Sequence, residues 1–408
     1  MRTHTLSRIL TDQRGIALPM ALMIVLILSA LMAAFSVLGA SEPTLAANQQ
    51  RVAQARAMAE SGLDRAIWAL NNPGDASGIP YPLVTPAAPY DGSTAVPVMF
   101  NGAQVGVFTV SVTIGAQPNE RNIVATGWVP TNTGPGPNVK QRIQVTVLKL
   151  RNFGGDAPAA LTVRGEIDVG GSSLIDSRAD TSCGNKAGTW SEGDTSRKGA
   201  SDVYGAGDNT ANSTVLYADN PSGDIVTQVP DAKFDPFTYT SDELNMLRAI
   251  AKTQGTYYQG SVQFNSSNKV PDGLVFIDTV SGQDITPSTP SSDFASLKIS
   301  GNPSVNNNGI FHGWMIVNGS ATIDGNMEIH GFLYLVNDLS YKGTGNGKIV
   351  GAVISQNIRD ASSTSIDTDT TGNSTVIYSC AYAKTGDMGG VISESFTVKT
   401  GTYKEVAG

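Results

Sequence analysis

The chain opens on a basic stretch in which Arg2, Arg8 and Arg14 stand against Asp12, and it then runs from Ile16 to Ala40 without a charged residue. An apolar run of this length crosses the hydrocarbon region as a helix, which needs about 20 residues, and the basic flank stays cytoplasmic. The residues beyond Ala40 are therefore expected outside the cytoplasm. Pro19 falls near the start of the run, where a lost helical hydrogen bond costs least. The competing reading is a secretory signal cut near Gly39–Ala40, although the apolar core of such a signal is usually only about 7–15 residues.

Helical periodicity continues past the apolar run. Leu45, Val52, Ala59 and Ala66 repeat at seven, and Leu63, Ile67 and Leu70 widen the same face, while Arg51, Arg56, Glu60 and Asp64 fall mostly elsewhere. Two readings are open: an amphipathic helix covering a small domain, or one long helix from Ile16 to about Leu70, half in a membrane and half packed on a head. Asn71-Asn72-Pro73-Gly74 ends it. A connection rich in Pro, Gly and Tyr runs from Pro73 to Pro97. Three extended segments come next, 104–114, 121–129 and 139–150, and alternation in the first places Phe108, Val110, Val112 and Ile114 on one face. These segments predict a small antiparallel sheet whose apolar face buries the packed half of the helix.

Beyond Arg151-Asn152-Phe153-Gly154-Gly155 the pattern changes to short apolar strings separated by polar turns. Residues 184–212 are almost uniformly polar and read as a surface excursion. The segment after Thr240 is helical, with Thr240 and Glu243 placed for a capping box. Between Gly309 and Gln356 three strings, Trp314–Val317, Phe332–Leu335 and Val350–Val353, recur at an interval of 18, aligning Ile316, Tyr334 and Ala352. That repeat fits the coil of a β-helix or solenoid, with a β-sandwich as the alternative.

Composition narrows the function. The net charge of −8 leaves no basic surface for a phosphate backbone, so nucleic acid is not an expected partner. Cys183 and Cys380 match no metal spacing; after export they form one disulfide or remain two buried thiols. His312 and His330 lie one repeat apart and are expected to stack on neighbouring coils as a polar ladder; as metal ligands they would lack a third partner beyond Asp324 or Glu328. Asp367, Asp369, Thr371 and Gly372 resemble the start of a calcium loop, but Tyr378 stands where the closing Glu belongs, so a solvated loop is expected. No GxSxG, HExxH or phosphate-cradling GxxxxGK[ST] motif occurs, and the expectation is a protein that is not an enzyme and carries no catalytic residue, metal or cofactor.

The stretch from Arg14 through the apolar run, followed by ANQQRVAQARAMAESGLDRAIWAL, resembles the N-terminal segment of PilX-like pilus assembly proteins, minor pilins of type IV pili, and more broadly the class III signal peptides of pilins and secretion pseudopilins. The resemblance implies a prepilin peptidase cut between Gly15 and Ile16. Major pilins carry a Glu five residues after the cut; Met20 stands there in this chain, as an uncharged residue does in the larger tip pseudopilins. The implied organisation is a leader at 1–15, a membrane and amphipathic helix at 16–71, a pilin-like sheet domain at 72–154 and a solenoid-like domain at 155–408. The expected fold is thus mostly β with a long N-terminal α-helix, a pilin-like α/β head and a β-solenoid. The expected function is a structural minor pilin or pseudopilin-like subunit near a filament tip, held in the inner membrane by one span, with the membrane, other pilin subunits and a prepilin peptidase as partners. An adhesin whose head binds surface glycans is the alternative, and a polysaccharide-acting enzyme a more distant one.

Overall fold

A computed structural model describes residues 17–80, 86–133, 138–207, 211–301, 309–343, 347–359, 366–386 and 395–407. The protein is mostly β with one long N-terminal helix, Ala17–Asn71. Two compact units form: residues 1–148 together with 396–408, and residues 149–395 between them. The second unit is therefore an insertion within the first. The sequence boundary at 155–408 differs from this, because the last residues of the chain return to the first unit.

In the first unit the helix is exposed through its apolar half and becomes buried from Ala55, with Ala59, Leu63, Ala66, Ala69 and Leu70 following at helical spacing. The predicted face begins too early, since Leu45 and Val52 stay exposed. Under the packed half lies an antiparallel sheet in the order Val96–Phe100, Ala103–Ile114, Glu120–Val129 and Val139–Lys149, with Phe396–Val398 and Lys404–Ala407 on its last edge. The edge strand Val96–Phe100 begins inside the stretch that the sequence presents as connection. It is joined to its neighbour through Asn101 and Gly102, both at positive φ, the backbone a two-residue hairpin turn demands.

Phe108, Val110 and Val112 point into the core as expected, but Ile114 is 51% exposed because it lies at the end of its strand, outside the apolar cluster. Close approach of helix to sheet depends on glycine. A Cβ on Gly127 would lie 2.2 Å from the Ala55 carbonyl oxygen, and one on Gly106 would lie 2.7 Å from Met58 Cγ.

Among the described residues, the strands of the second unit pair in parallel. The chain steps alternately between two sheets: Gly273–Asp278, Ile310–Val317, Glu328–Leu335 and Lys348–Ser355 in one, and Ala295–Gly301, Gly319–Gly325, Leu339–Gly343 and Ile366–Gly372 in the other. Met315 pairs with Leu333 as the 18-residue interval requires, but Leu333 pairs with Val353, so the next interval is 20 and Tyr334 faces Ile354 rather than Ala352. A shift of two preserves which face each residue occupies, so the apolar strings disguise it.

A glycine column sets the register. Gly273, Gly313, Gly331 and Gly351 are mutual partners on four successive strands. A Cβ on Gly331 or Gly351 would fall 1.7 Å from the carbonyl oxygen of the preceding glycine in the column.

The stack is not laid down in chain order. Ala159–Val163 docks on the edge of Lys348–Ser355, and Glu166–Val169 on Ile366–Gly372, so the first strands of the unit meet its last. From there Ala187–Ser191 and Ile225–Thr227 extend the sheet the other way. The chain then returns by helix Ser241–Gln254, which packs on Gly273–Asp278 near the opposite end. Its predicted capping box forms in full: Glu243 N–H donates to Thr240 Oγ1 at 3.3 Å, and Thr240 N–H donates to Glu243 Oε2 at 2.9 Å. Buried Glu243 also pairs with Arg151, and buried Asp278 receives Arg248 Nε at 2.7 Å, which fixes the helix to the sheet below it.

The polar tract 184–212 is corrected by the fold. Ala187–Ser191 is a fully buried strand, and Trp190 packs with Tyr217 and Phe234 in a separate apolar cluster. The parallel ladder pairs the backbone groups of this buried strand, and Ser191 Oγ donates to the Gly193 carbonyl at 2.9 Å.

Candidate functional site

The cleavage pair Gly15 and Ile16 lies outside the described residues. The helix that begins at Ala17 is long and apolar enough to cross a membrane, and among the described residues none buries its apolar stretch. Leu22, Leu26, Leu31, Phe35 and Leu38 are all exposed around its circumference. A helix apolar on every side is stable only in lipid or among other apolar helices.

Pro43 lies within the helix between the wholly apolar half and the packed half. Just beyond it, Leu45, Asn48, Val52, Ala53 and Arg56 form one wall of a groove of about 430 Å³, and Glu405 of the C-terminal strand forms the other. Arg56 Nη2 reaches Glu405 Oε1 at 2.8 Å, and Arg56 Nε reaches Glu60 Oε1 at 3.0 Å. Those carboxylates hold the guanidinium above its ordinary range, Glu60 through its hydrogen bond first. Both sides of the bridge are half-exposed, so it positions the C-terminal strand more than it stabilises it.

In the second unit a second feature concentrates polar chemistry. The residues that resemble a calcium loop are not on a loop: Ile366–Gly372 is a strand, and Tyr378 lies on another strand, Thr375–Tyr378, in the other sheet. Asp367 sits at a register shift, its Oδ2 accepting from Glu166 N–H at 2.8 Å and its Oδ1 from Asn357 Nδ2 at 2.7 Å. The alternation that the sequence presents as Asp-Thr-Asp-Thr is strand alternation. It turns Asp369 and Thr371 outward and Thr368 and Thr370 inward.

Asp369 is in register with Asp168 on one side and Ser340 on the other. Asp168 is engaged, accepting from Lys198 Nζ at 2.6 Å and Ser196 Oγ at 2.8 Å. Burial pushes the Asp369 carboxyl up, and the neighbouring Asp168 adds to it, against the pull of Lys342 and Lys198.

His312 and His330 are in-register partners with ring centroids 5.2 Å apart, as the repeat predicts. Tyr382, on the short helix Cys380–Thr385, lies over His330 at 4.3 Å, and His330 Nε2 meets Glu328 Oε1 at 2.5 Å. Lys348 Nζ reaches the same oxygen at 2.9 Å. Burial opposes ionisation of Glu328, but the hydrogen bonds from Lys348 and His330 hold its carboxyl below the usual range. Among the described residues no group of three or more His, Cys, Asp or Glu side chains is arranged to hold a metal ion.

Cys183 and Cys380 form a disulfide with Cα atoms 5.7 Å apart. Asp180 supports it from the side, its Oδ2 accepting Cys380 N–H at 2.7 Å. The short helix thus tied down closes over the glycine column: a Cβ on Gly386 would lie 2.5 Å from Gly313 Cα. In the sequence, the signal that carries the register is the column itself, through His312-Gly313, His330-Gly331 and Val350-Gly351.

No family model matches the sequence, and no curated protein matches it. Among solved structures, the chain is similar to the competence-associated pilin ComZ from Thermus thermophilus, at 12% identity, over 87% of this chain and 98% of that one, with a TM-score of 0.25. A likeness at that score carries no argument, and the functional reading stands on the chain's own geometry.

Proposed function

We propose that the chain is a membrane-held, pilin-like structural subunit, a minor pilin or pseudopilin of a type IV pilus or related filament. In this reading a prepilin peptidase cuts between Gly15 and Ile16, the head lies outside the inner membrane, and the second unit forms a β-solenoid displayed near the filament tip. The observation that supports it is the division of one helix: 55 residues run unbroken from Ala17 to Asn71, packed on their own sheet from Ala55 but bare before it. A plain membrane anchor does not need its span to continue as the core helix of the head. A subunit that leaves the bilayer does, because the helix must carry the head while its apolar stem passes from lipid to the stems of neighbours. Met20 fits such a stem, since an unpaired buried Glu would be costly there.

The test is a photo-crosslinking side chain at Leu31 in the native host. Adducts to the apolar helices of other envelope subunits, seen in sheared filaments as well as in membranes, are expected. Adducts to lipid alone in both fractions would leave a fixed bitopic protein.

A further inference from the structure

The second unit carries an outward sheet face with a built polar surface. Parallel sheets are ordinarily covered on both faces. Here one face packs inward through Ile167, Tyr341, Ile323 and Leu297, and the other bears an in-register row, Asp168, Asp369, Ser340 and Thr322, across four adjacent strands. These four, with Ser320 and Thr371, line a concavity of about 600 Å³. The side chains of Asp369, Ser340, Thr322 and Thr371 make no hydrogen bond to the protein among the described residues, whereas Asp168 is held by Lys198 and Ser196.

We propose that this face binds a neutral, extended oligosaccharide, whose hydroxyls donate to Asp369 and exchange hydrogen bonds with Ser340, Thr322 and Thr371. Chemical complementarity selects this ligand. Sugar hydroxyls both donate and accept, and the row offers hydroxyls that do both beside carboxylates that accept. A protein partner would be expected to find an aromatic or arginine anchor, and among the described residues none lines the concavity. An anionic chain would meet Asp168, Asp338, Asp367 and Asp369 together. The row also advances at the strand spacing, about 4.8 Å, so its carboxylate and hydroxyl groups are set out along one direction, as an extended ligand requires. The proposal goes beyond the stem-based reading and does not depend on it: sugar binding can fail while leader processing and anchoring are unaffected.

The experiment is calorimetric titration of the full chain, held in a detergent without a sugar headgroup, with maltohexaose, cellohexaose and chitohexaose. Saturable binding of at least one is expected, and Asp369→Asn and Thr322→Val should each weaken it by about tenfold, the scale of one lost hydrogen bond to a charged or well-placed group. Both positions face outward, and an unchanged melting temperature shows that each variant folds. Absence of saturable binding by all three sugars overturns the proposal, as does binding that neither substitution alters.

Discussion

Asn71 and Phe396, separated by 325 residues, pair like neighbouring strands: the Asn71 amide donates to the Phe396 carbonyl at 3.2 Å, and its oxygen accepts the Phe396 N–H at 2.5 Å. One side chain at the end of the long helix therefore receives the chain as it returns from the inserted unit. Lys399 continues the attachment, its Nζ reaching buried Glu120 Oε1 at 2.8 Å, while Glu120 Oε2 accepts the Ala116 N–H.

Asn71→Ala should release that return. Two hydrogen bonds to the Phe396 backbone are lost at a partly buried site, a cost of about 1–3 kcal/mol. The expected result is a lower melting temperature with proteolytic clipping near residue 396. Wild-type stability would show that Phe396 is held by strand pairing alone.

The glycine column makes a sharper prediction. Gly331→Ala places a Cβ 1.7 Å from the Gly313 carbonyl oxygen, a backbone atom with no freedom to move aside. Loss of about 3 kcal/mol or more is expected, at the severe end of single substitutions. Gly74→Ala, with no atom within 4 Å of its new Cβ, should change little. Equal effects from the two, by denaturant titration, would remove the column from its structural role.

Reduction of the Cys183–Cys380 disulfide opens a loop with a sequence separation of 197. In the chain-entropy account this costs about 5 kcal/mol, and measured values commonly fall at about 2–4. Cys380→Ala should lower stability by a similar amount and raise hydrogen exchange in Cys380–Thr385 before the sheet beneath it. Unchanged exchange there would mean that packing on the glycine column holds the helix unaided.

How far the sequence discloses this fold depends on the range of the contacts. The long helix is legible because its apolar run and its packed face are both local patterns, although the run alone cannot say that Leu45 and Val52 stay bare. The Thr240 and Glu243 cap is legible for the same reason. The stacked strings are recognisable by composition, but Val350 lies opposite His330, and only the glycines carry that register. Ala187–Ser191 looks like surface because a buried parallel strand can be built from small and hydroxyl side chains. Asp367–Gly372 imitates a loop because polar alternation is shared by calcium ligands and by a strand with one wet face. The return of residues 396–407 has no local signature. The outward row of Asp168, Asp369, Ser340 and Thr322 exists only after distant segments pair.

Asp180 gives the attachment of the short helix Cys380–Thr385 a pH dependence. The Ser182 hydroxyl first, then the N–H groups of Ser182 and Cys380, hold its carboxyl below the ordinary value of 3.8. A depressed folded-state value stabilises above the unfolded value, and the contribution is lost as pH falls through the folded value. Stability should therefore drop on acidification below about pH 4, and Asp180→Asn should flatten that part of the profile. Parallel acid profiles for the two proteins, measured by thermal melts, would assign the drop to other carboxylates.

The most direct test of the pilin-like account is the N-terminal residue of the mature protein isolated from its native host. The account predicts Ile16, with the whole apolar run retained and the arginine-rich segment gone, and it predicts that a bulky residue at Gly15 blocks this cut while a change at Ala40 does not. A mature chain beginning at Ser41 would contradict it, because the stem on which filament assembly rests would have been removed; an intact Met1 would contradict it too, leaving a permanent single-span anchor.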